Sequence, residues 1–194
     1  MLNKNKFLNF FCWIAMKWWC FWSGIRFRKM DRFSKDINEE DKVSTIDDIQ
    51  NVINKINSKF EYTKDDITML FDAILPPRES YKRYTEGKLK EDCDGFHSAV
   101  YHVLQSCNIE SYLMAVNAKG FGHCVLVFNL DKMWHVLDYT TIYDGYLNLE
   151  TSIFTYNKQV PIHYGIKNEV FYNALISYNY EKGKFKYESL KKKI

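Results

Sequence analysis

The residues Glu91-Asp92-Cys93-Asp94-Gly95-Phe96-His97-Ser98-Ala99-Val100 begin a stretch that runs to Thr140 and carries the clearest pattern in the chain. Apolar side chains recur at Phe96, Ala99, Val100, Val103, Leu104 and Cys107, the i, i+3, i+4, i+7, i+8, i+11 series of a helix with one buried face. Cys93 extends the series backwards by one step, so its thiol falls in the first turn and points toward the body of the domain. Asp92 is the expected N-cap, its carboxylate placed to accept from a free backbone N–H. The positive end of a helix stabilises a thiolate and lowers its pKa. Asp92 and Asp94 oppose that effect, so an imidazole is needed to activate Cys93.

Two further runs supply an imidazole and an acid. His123-Cys124-Val125-Leu126-Val127-Phe128 and Met133-Trp134-His135-Val136-Leu137-Asp138 are both rich in strand-forming residues, and Asn129-Leu130-Asp131-Lys132 between them suits a four-residue turn. With Phe128 facing Met133, Val127 meets Trp134, Val125 meets Val136 and His123 meets Asp138. Opposed side chains on one face lie roughly 5 Å apart at Cβ, within reach of an imidazole–carboxylate bond. A slip of one residue would send Asp138 to the other face, with Asp144 as the substitute acid. Cys93 as nucleophile, His123 as base and Asp138 as the group that holds the ring are the three parts of thiol acyl-transfer chemistry.

Asp92-Cys93-Asp94-Gly95-Phe96 opening a helix, Gly122-His123 opening a strand, and Trp134 to Thr140 on the next resemble the transglutaminase-like branch of the papain-type cysteine enzymes. The resemblance spans about residues 76–141, rests on three short motifs in order, and implies an α+β fold. In that fold a cysteine-bearing helix packs on an antiparallel sheet behind preceding scaffold helices. It also implies a Cys93–His123–Asp138 triad acting on amide bonds, in a family of peptidases, amidases, acyl-transferring members and inactive ones. Gly95 and Phe96 depart from the family pattern, where a polar residue and a second aromatic are expected. Tyr81, Tyr84 and Gln105 are the available candidates for a second oxyanion donor.

A chain of 194 residues fits one domain with a short extension. Its 27 basic and 24 acidic residues are near balance, which leaves no dense basic face for nucleic acid. Five cysteines, odd in number and without a C-x-x-C, fit free thiols in a reducing compartment, so a cytoplasmic location is expected.

Residues 1–30 form a separate aromatic-rich segment that holds four of the five tryptophans. Phe7 to Ile25 is just long enough to cross a bilayer, yet Lys17 sits at its centre, which costs roughly 2.5–3.5 kcal/mol. Tryptophan prefers the membrane interface, and Lys4, Lys6, Arg26, Arg28 and Lys29 suit an anionic surface. Membrane contact through residues 7–25, packing on the catalytic domain, and a secretory signal without a small-x-small cleavage site are the three readings.

Residues 31–43 read as a charged linker, and residues 44–194 as the catalytic domain. Ser44 is expected to cap a helix carrying Ile46, Ile49, Val52, Ile53 and Ile56, with Asp47 near a capping-box position. A second helix from about Thr63 to Leu75 should stop at Pro76-Pro77, and residues 77–91 read as a polar loop beside the cleft. Ser111 to Asn117 looks like a strand, and Lys119 to Gly122 a turn. Beyond Thr141 the pattern weakens: a turn at Tyr143 to Tyr146, strands at 152–156 and 160–164, a helix or strand over 168–180, and a hairpin at Lys182-Gly183.

The expected function is a cysteine hydrolase of peptide or protein amides that works through a thioester and needs no cofactor or metal. The alternatives are acyl transfer to an amine, an inactive transglutaminase-like binding module, and a zinc site built from Cys93 and His97 with His123 or Cys124. His97, one turn after Cys93, lies beside the thiol instead of across a cleft, and so is the weaker base. The oligomeric state is not set by these residues.

Overall fold

The computed structural model describes residues 4–26, 30, 33–63 and 74–190. Among them are five α-helices, a two-stranded parallel pair and a six-stranded antiparallel sheet, an α+β fold. In chain order the elements are α1 (Lys4–Arg26), α2 (Ile46–Lys59), β1 (Glu61–Tyr62), α3 (Pro77–Thr85), β2 (Lys90–Glu91), α4 (Cys93–Ser106), β3 (Ser111–Ala118), β4 (Phe121–Leu130), β5 (Met133–Asp138), β6 (Thr141–Tyr146), α5 (Leu149–His163), β7 (Val170–Asn179) and β8 (Lys184–Leu190). The large sheet runs β6-β5-β4-β3-β7-β8, and β1 pairs with β2.

Each central strand sends alternate residues to opposite faces, and each face has its own core. Leu113, Ala115, Cys124, Leu126, Phe128 and Leu137 pack with α4 and with Ile49, Val52, Ile53 and Ile56 of α2. Met114, Val116, Val125, Val127 and Val136 pack with Ile153, Tyr156 and Val160 of α5. The cysteine helix is therefore not a one-faced surface helix: every residue from Gly95 to Leu104 is buried, because α2 and α3 cover the side turned away from the sheet.

Local sequence explains the helix starts, with three corrections. Helix α2 is capped by Thr45, one residue after the expected Ser44, in a capping box with Asp48. Pro76-Pro77 opens a helix, since Pro77 stands at a first-turn position where its missing N–H is not needed, so α3 replaces the expected loop. Residues 152–156 and 160–163 belong to α5, with Tyr164 as its C-cap; Asn148 caps the helix at the Thr151 N–H, and Ile153, Tyr156 and Val160 follow a helical period. The expected turn at Tyr143 to Tyr146 is strand β6, where Gly145 lies so close to the His135 ring that a Cβ would collide with it. The helix expected over 63–75 falls largely on residues 64–73, outside the described residues; Ile74 and Leu75 are buried without helical structure.

The β4–β5 hairpin also differs from expectation. Its loop is only Asp131-Lys132, both at positive φ (52° and 66°), as a two-residue hairpin turn demands. Leu130 pairs with Met133 and Val127 with Val136, a two-residue shift from the expected register. An even shift keeps every side chain on its face. Asp138 therefore stays on the side of His123 but sits diagonal to it, since the pairing of Leu126 with Leu137 puts Asp138 level with Val125.

Two peripheral segments are tied in. Asp41, fully buried within the stretch expected as a linker, accepts from Tyr81 Oη (2.8 Å) and Lys55 Nζ (3.2 Å). The Tyr81 oxygen in turn accepts from the Asn38 N–H at 2.8 Å. Helix α1 packs against β7 and β8, and Ser23 Oγ donates to the Ile74 carbonyl at 2.8 Å. Tyr81→Phe strips a partner from a buried carboxylate and from Asn38, and should lower unfolding free energy by roughly 1–3 kcal/mol in urea titration. An unchanged midpoint would mean that Asp41 is held without Tyr81, by Lys55 and Tyr84.

Candidate active site

Cys93 begins α4, and the Asp92 cap accepts from the Asp94 N–H at 3.1 Å, as the sequence pattern predicts. The departure at Gly95 has a steric cause: a Cβ there would overlap the Glu91 side chain, which is itself paired with Arg83. Phe96 is fully buried, edge-on to Phe60 with ring centroids 5.1 Å apart, and packs against Tyr139. Both positions serve the seating of the helix.

His123 and Asp138 are brought together. His123 Nε2 lies 2.8 Å from Asp138 Oδ1, and their side chains are only 6% and 2% exposed. Two tyrosines that sequence reasoning missed complete the cluster. Tyr156 Oη donates to Asp138 Oδ2 at 2.9 Å, and Tyr164 Oη lies 2.8 and 2.7 Å from the two carboxylate oxygens and 2.9 Å from His123 Nε2. Burial raises both tyrosine pKa values well above the ordinary range, so both hydroxyls keep their protons and serve as donors. Burial also works to raise the Asp138 pKa, but the His123 and Tyr164 bonds outweigh it and hold the carboxyl at about 2. With Asp138 ionised, His123 carries its proton on Nε2, and the Nδ1 lone pair is left as proton acceptor.

Strand alternation places His123 and Asp138 on the α5 side of the sheet, whereas Cys93 comes from the α4 side. They converge at the sheet end where β4 begins and β5 stops. There Cys93 Sγ accepts from the Cys124 N–H at 3.3 Å, so the thiol rests against the residue that follows His123. Burial, with Asp92 and Asp94 beside it, pushes the thiol pKa well up, against the lowering expected from the helix dipole. The resting sulfur is therefore protonated, and the Cys124 and Cys93 N–H groups only partly offset this.

His97 does not act as a rival base. Its Nδ1–H donates to the Cys93 carbonyl at 2.6 Å, and its Nε2 accepts from the Tyr139 N–H at 2.9 Å. Tyr139 takes a positive φ of 47° to present that N–H, a conformation costly for a bulky residue. His97 thus ties the first turn of α4 to the β5–β6 turn, and its occupied nitrogens leave nothing for a zinc ion. Among the described residues no group of three or more His, Cys, Asp or Glu is arranged to hold a metal. The oxyanion candidates also lie elsewhere: Tyr81 serves Asp41, Tyr84 is buried, and Gln105 bonds Ser111 at the far end of α4. Asp144, the substitute acid, lines a groove between β6 and α5 with Tyr143, Tyr146 and Gln159.

A helical reading of residues 149–163 would have turned Tyr156 toward the sheet; no sequence signal marked Tyr164. Neither a family model nor a curated protein matches this chain.

His97 yields a prediction in pH. Complete burial, with His123 nearby, lowers its pKa from 6.5 to about 4. A depressed imidazole contributes stability that is full above pH 6.5 and is lost as pH falls toward 4, on the order of 2–3 kcal/mol. Urea titrations across that window should show the loss in the parent chain and a much flatter profile in His97→Gln. Equal slopes would show that His97 is already charged in the fold. Loss of the Asp138 contribution falls below this window.

Proposed function

We propose that the protein is a cysteine-dependent amide hydrolase with a transglutaminase-like, papain-type core, in which Cys93 attacks, His123 transfers the proton and Asp138 holds His123. The observation that carries this reading is the His123 Nε2–Asp138 contact of 2.8 Å, fixed by two protonated tyrosines. It frees His123 Nδ1 for proton transfer at the sheet end where the Cys93 sulfur meets the Cys124 N–H.

In the reaction the proton of Cys93 Sγ passes to His123 Nδ1, and the thiolate forms a C–S bond to the amide carbonyl carbon. The Cys93 backbone N–H is a donor to the oxyanion. His123 gives its proton to the departing nitrogen as the C–N bond breaks, leaving a thioester. Water, deprotonated by the same nitrogen, then releases the acid and restores the thiol. An amine in place of water gives acyl transfer by identical proton movements. The substrate class is a peptide or protein amide.

One observation favours a second reading. The thiol pKa is pushed up by burial and by two neighbouring aspartates, as suits an unreactive sulfur in a binding module. Iodoacetamide labelling of each cysteine against pH, read by peptide mass, separates the two. For the enzyme, Cys93 labels faster than Cys107 or Cys124, and His123→Ala removes the difference. For the binding module, Cys93 labels no faster than they do.

Once a hydrolysable amide is in hand, Cys93→Ala should abolish turnover. Asp138→Asn should lower kcat by roughly 10²–10⁴-fold, because the ring loses its fixed tautomer. Full activity in Cys93→Ala would refute the mechanism.

A further inference from the structure

Helix α1 is apolar both on the side that packs on the domain and on the side turned away from it. Met16 (1% exposed) and Ser23 (2%) are buried against the domain, with Cys12 and Trp19 packed on the same core. On the other side Phe10, Ile14, Trp18, Phe21 and Ile25 recur at i, i+4, i+8, i+11 and i+15, a single stripe along the helix. They are 55%, 42%, 41%, 58% and 48% exposed. Trp13 and Trp22 flank this stripe, stacked on Phe10 and set edge-on to Trp18 respectively. A surface of this size and continuity marks an interaction site.

Charge identifies what it meets. The first thirty residues contain six basic and no acidic side chains, whereas residues 31–194 contain 21 basic and 24 acidic ones. The whole positive excess of the protein is thus gathered on the segment that displays the aromatic stripe. Lys17 is exposed at the margin of the stripe, with its ammonium 3.9 Å from the Trp13 ring centroid, so its stem covers apolar surface while its charge stays at the edge. Exposed aromatic side chains with tryptophans among them, an exposed lysine at the margin and a segment that is basic throughout its sequence match the layered polarity of an anionic bilayer interface. A protein groove gives no reason for so one-signed a segment.

We propose that the outer face of α1 is a docking site for anionic lipid membranes, with the helix lying in the interface plane. Spanning is a different matter: no described helix is long and apolar enough to cross a bilayer, and one side of α1 is already committed to the domain. The exposed rings enter the region between headgroups and acyl chains to a depth of about 5–10 Å, while Lys17 meets lipid phosphates. This inference is independent of the proposed hydrolase activity.

The test uses the full chain with vesicles of phosphatidylcholine alone or mixed with phosphatidylserine, read by co-sedimentation and tryptophan emission. Four of the five tryptophans lie on α1, so insertion should shift emission to the blue. Binding is expected for the mixed vesicles, weakening as salt is raised. The double substitution Phe10→Ser/Phe21→Ser should lower the partition coefficient at least about tenfold, since both rings are more than half exposed and the fold does not need them. Lys17→Glu should selectively weaken binding to the anionic mixture. Three results would overturn the proposal: no binding to either vesicle, equal binding to both, or a concentration-dependent dimer that Phe10→Ser/Phe21→Ser dissolves. The last would identify a second copy of this chain as the occupant. Circular dichroism establishes that each variant is folded before its binding is read.

Discussion

The Asp138 carboxylate is the point on which the site depends. It is 4% exposed, and its donors arrive from different elements: His123 from β4, Tyr156 from within α5, and Tyr164 from just beyond its end. A buried carboxylate without donors would take up a proton instead of staying charged. Here the donors win, and the ionised Asp138 sets the tautomer and direction of the His123 ring. This requirement ties the chemistry to the packing of α5. The helix must lie across β4 and β5 closely enough for two phenols to reach one carboxylate, so Ile153 and Val160, which pack in the same core, help to place the charge.

A second constraint follows from the two faces of the sheet. Cys93 belongs to the layer formed by α4, while His123 and Asp138 belong to the α5 side, and a strand cannot turn one residue to both faces. The groups can approach only where the strands end. His97 fixes that corner, with one ring nitrogen on the Cys93 carbonyl and the other on the Tyr139 N–H. The positive φ of Tyr139 is retained because its N–H finds this partner and its ring packs on Phe60, Phe96 and His123. Gly95 belongs to the same corner, since the helix could not seat against Glu91 with a side chain there. Local strain and a missing Cβ near the cysteine are thus consequences of bringing two layers together at one edge.

Much of this was legible in the sequence, and what was not has physical causes. The start of α4 at Cys93, its Asp92 cap, the strands around His123 and Asp138, and the shared face of those two residues followed from period and capping chemistry. The register did not, because Asp131-Lys132 contains no glycine to announce a two-residue turn with both φ values positive. His123 and Asp138 share a face all the same, because a shift of two residues preserves the alternation. Residues 152–156 and 160–164 suggest strands because their aromatic and β-branched residues favour them, while packing on the sheet makes a helix that continues through Pro161 to His163. The burial of α4 on all sides could not be read locally either, since Ser98 and His102 look like surface residues until α3 and Tyr180 cover them.

The electrostatics then divide the acidic residues into opposing roles. Burial raises the thiol pKa, and Asp92 and Asp94 add to it, so a neutral sulfur is favoured. Asp138 faces the other partner, with its Oδ1 2.8 Å from His123 Nε2. In the proposed mechanism, moving one proton from sulfur to nitrogen creates a thiolate where burial disfavours charge, beside an imidazole that Asp138 holds in place. The Cys124 N–H, already directed at the sulfur at 3.3 Å, acts on the costly side of that exchange. The cost of the charged pair is therefore set at the sulfur, by the groups around it. Any group that brings donors to the sulfur, or shields it from Asp92 and Asp94, tilts the proton toward His123.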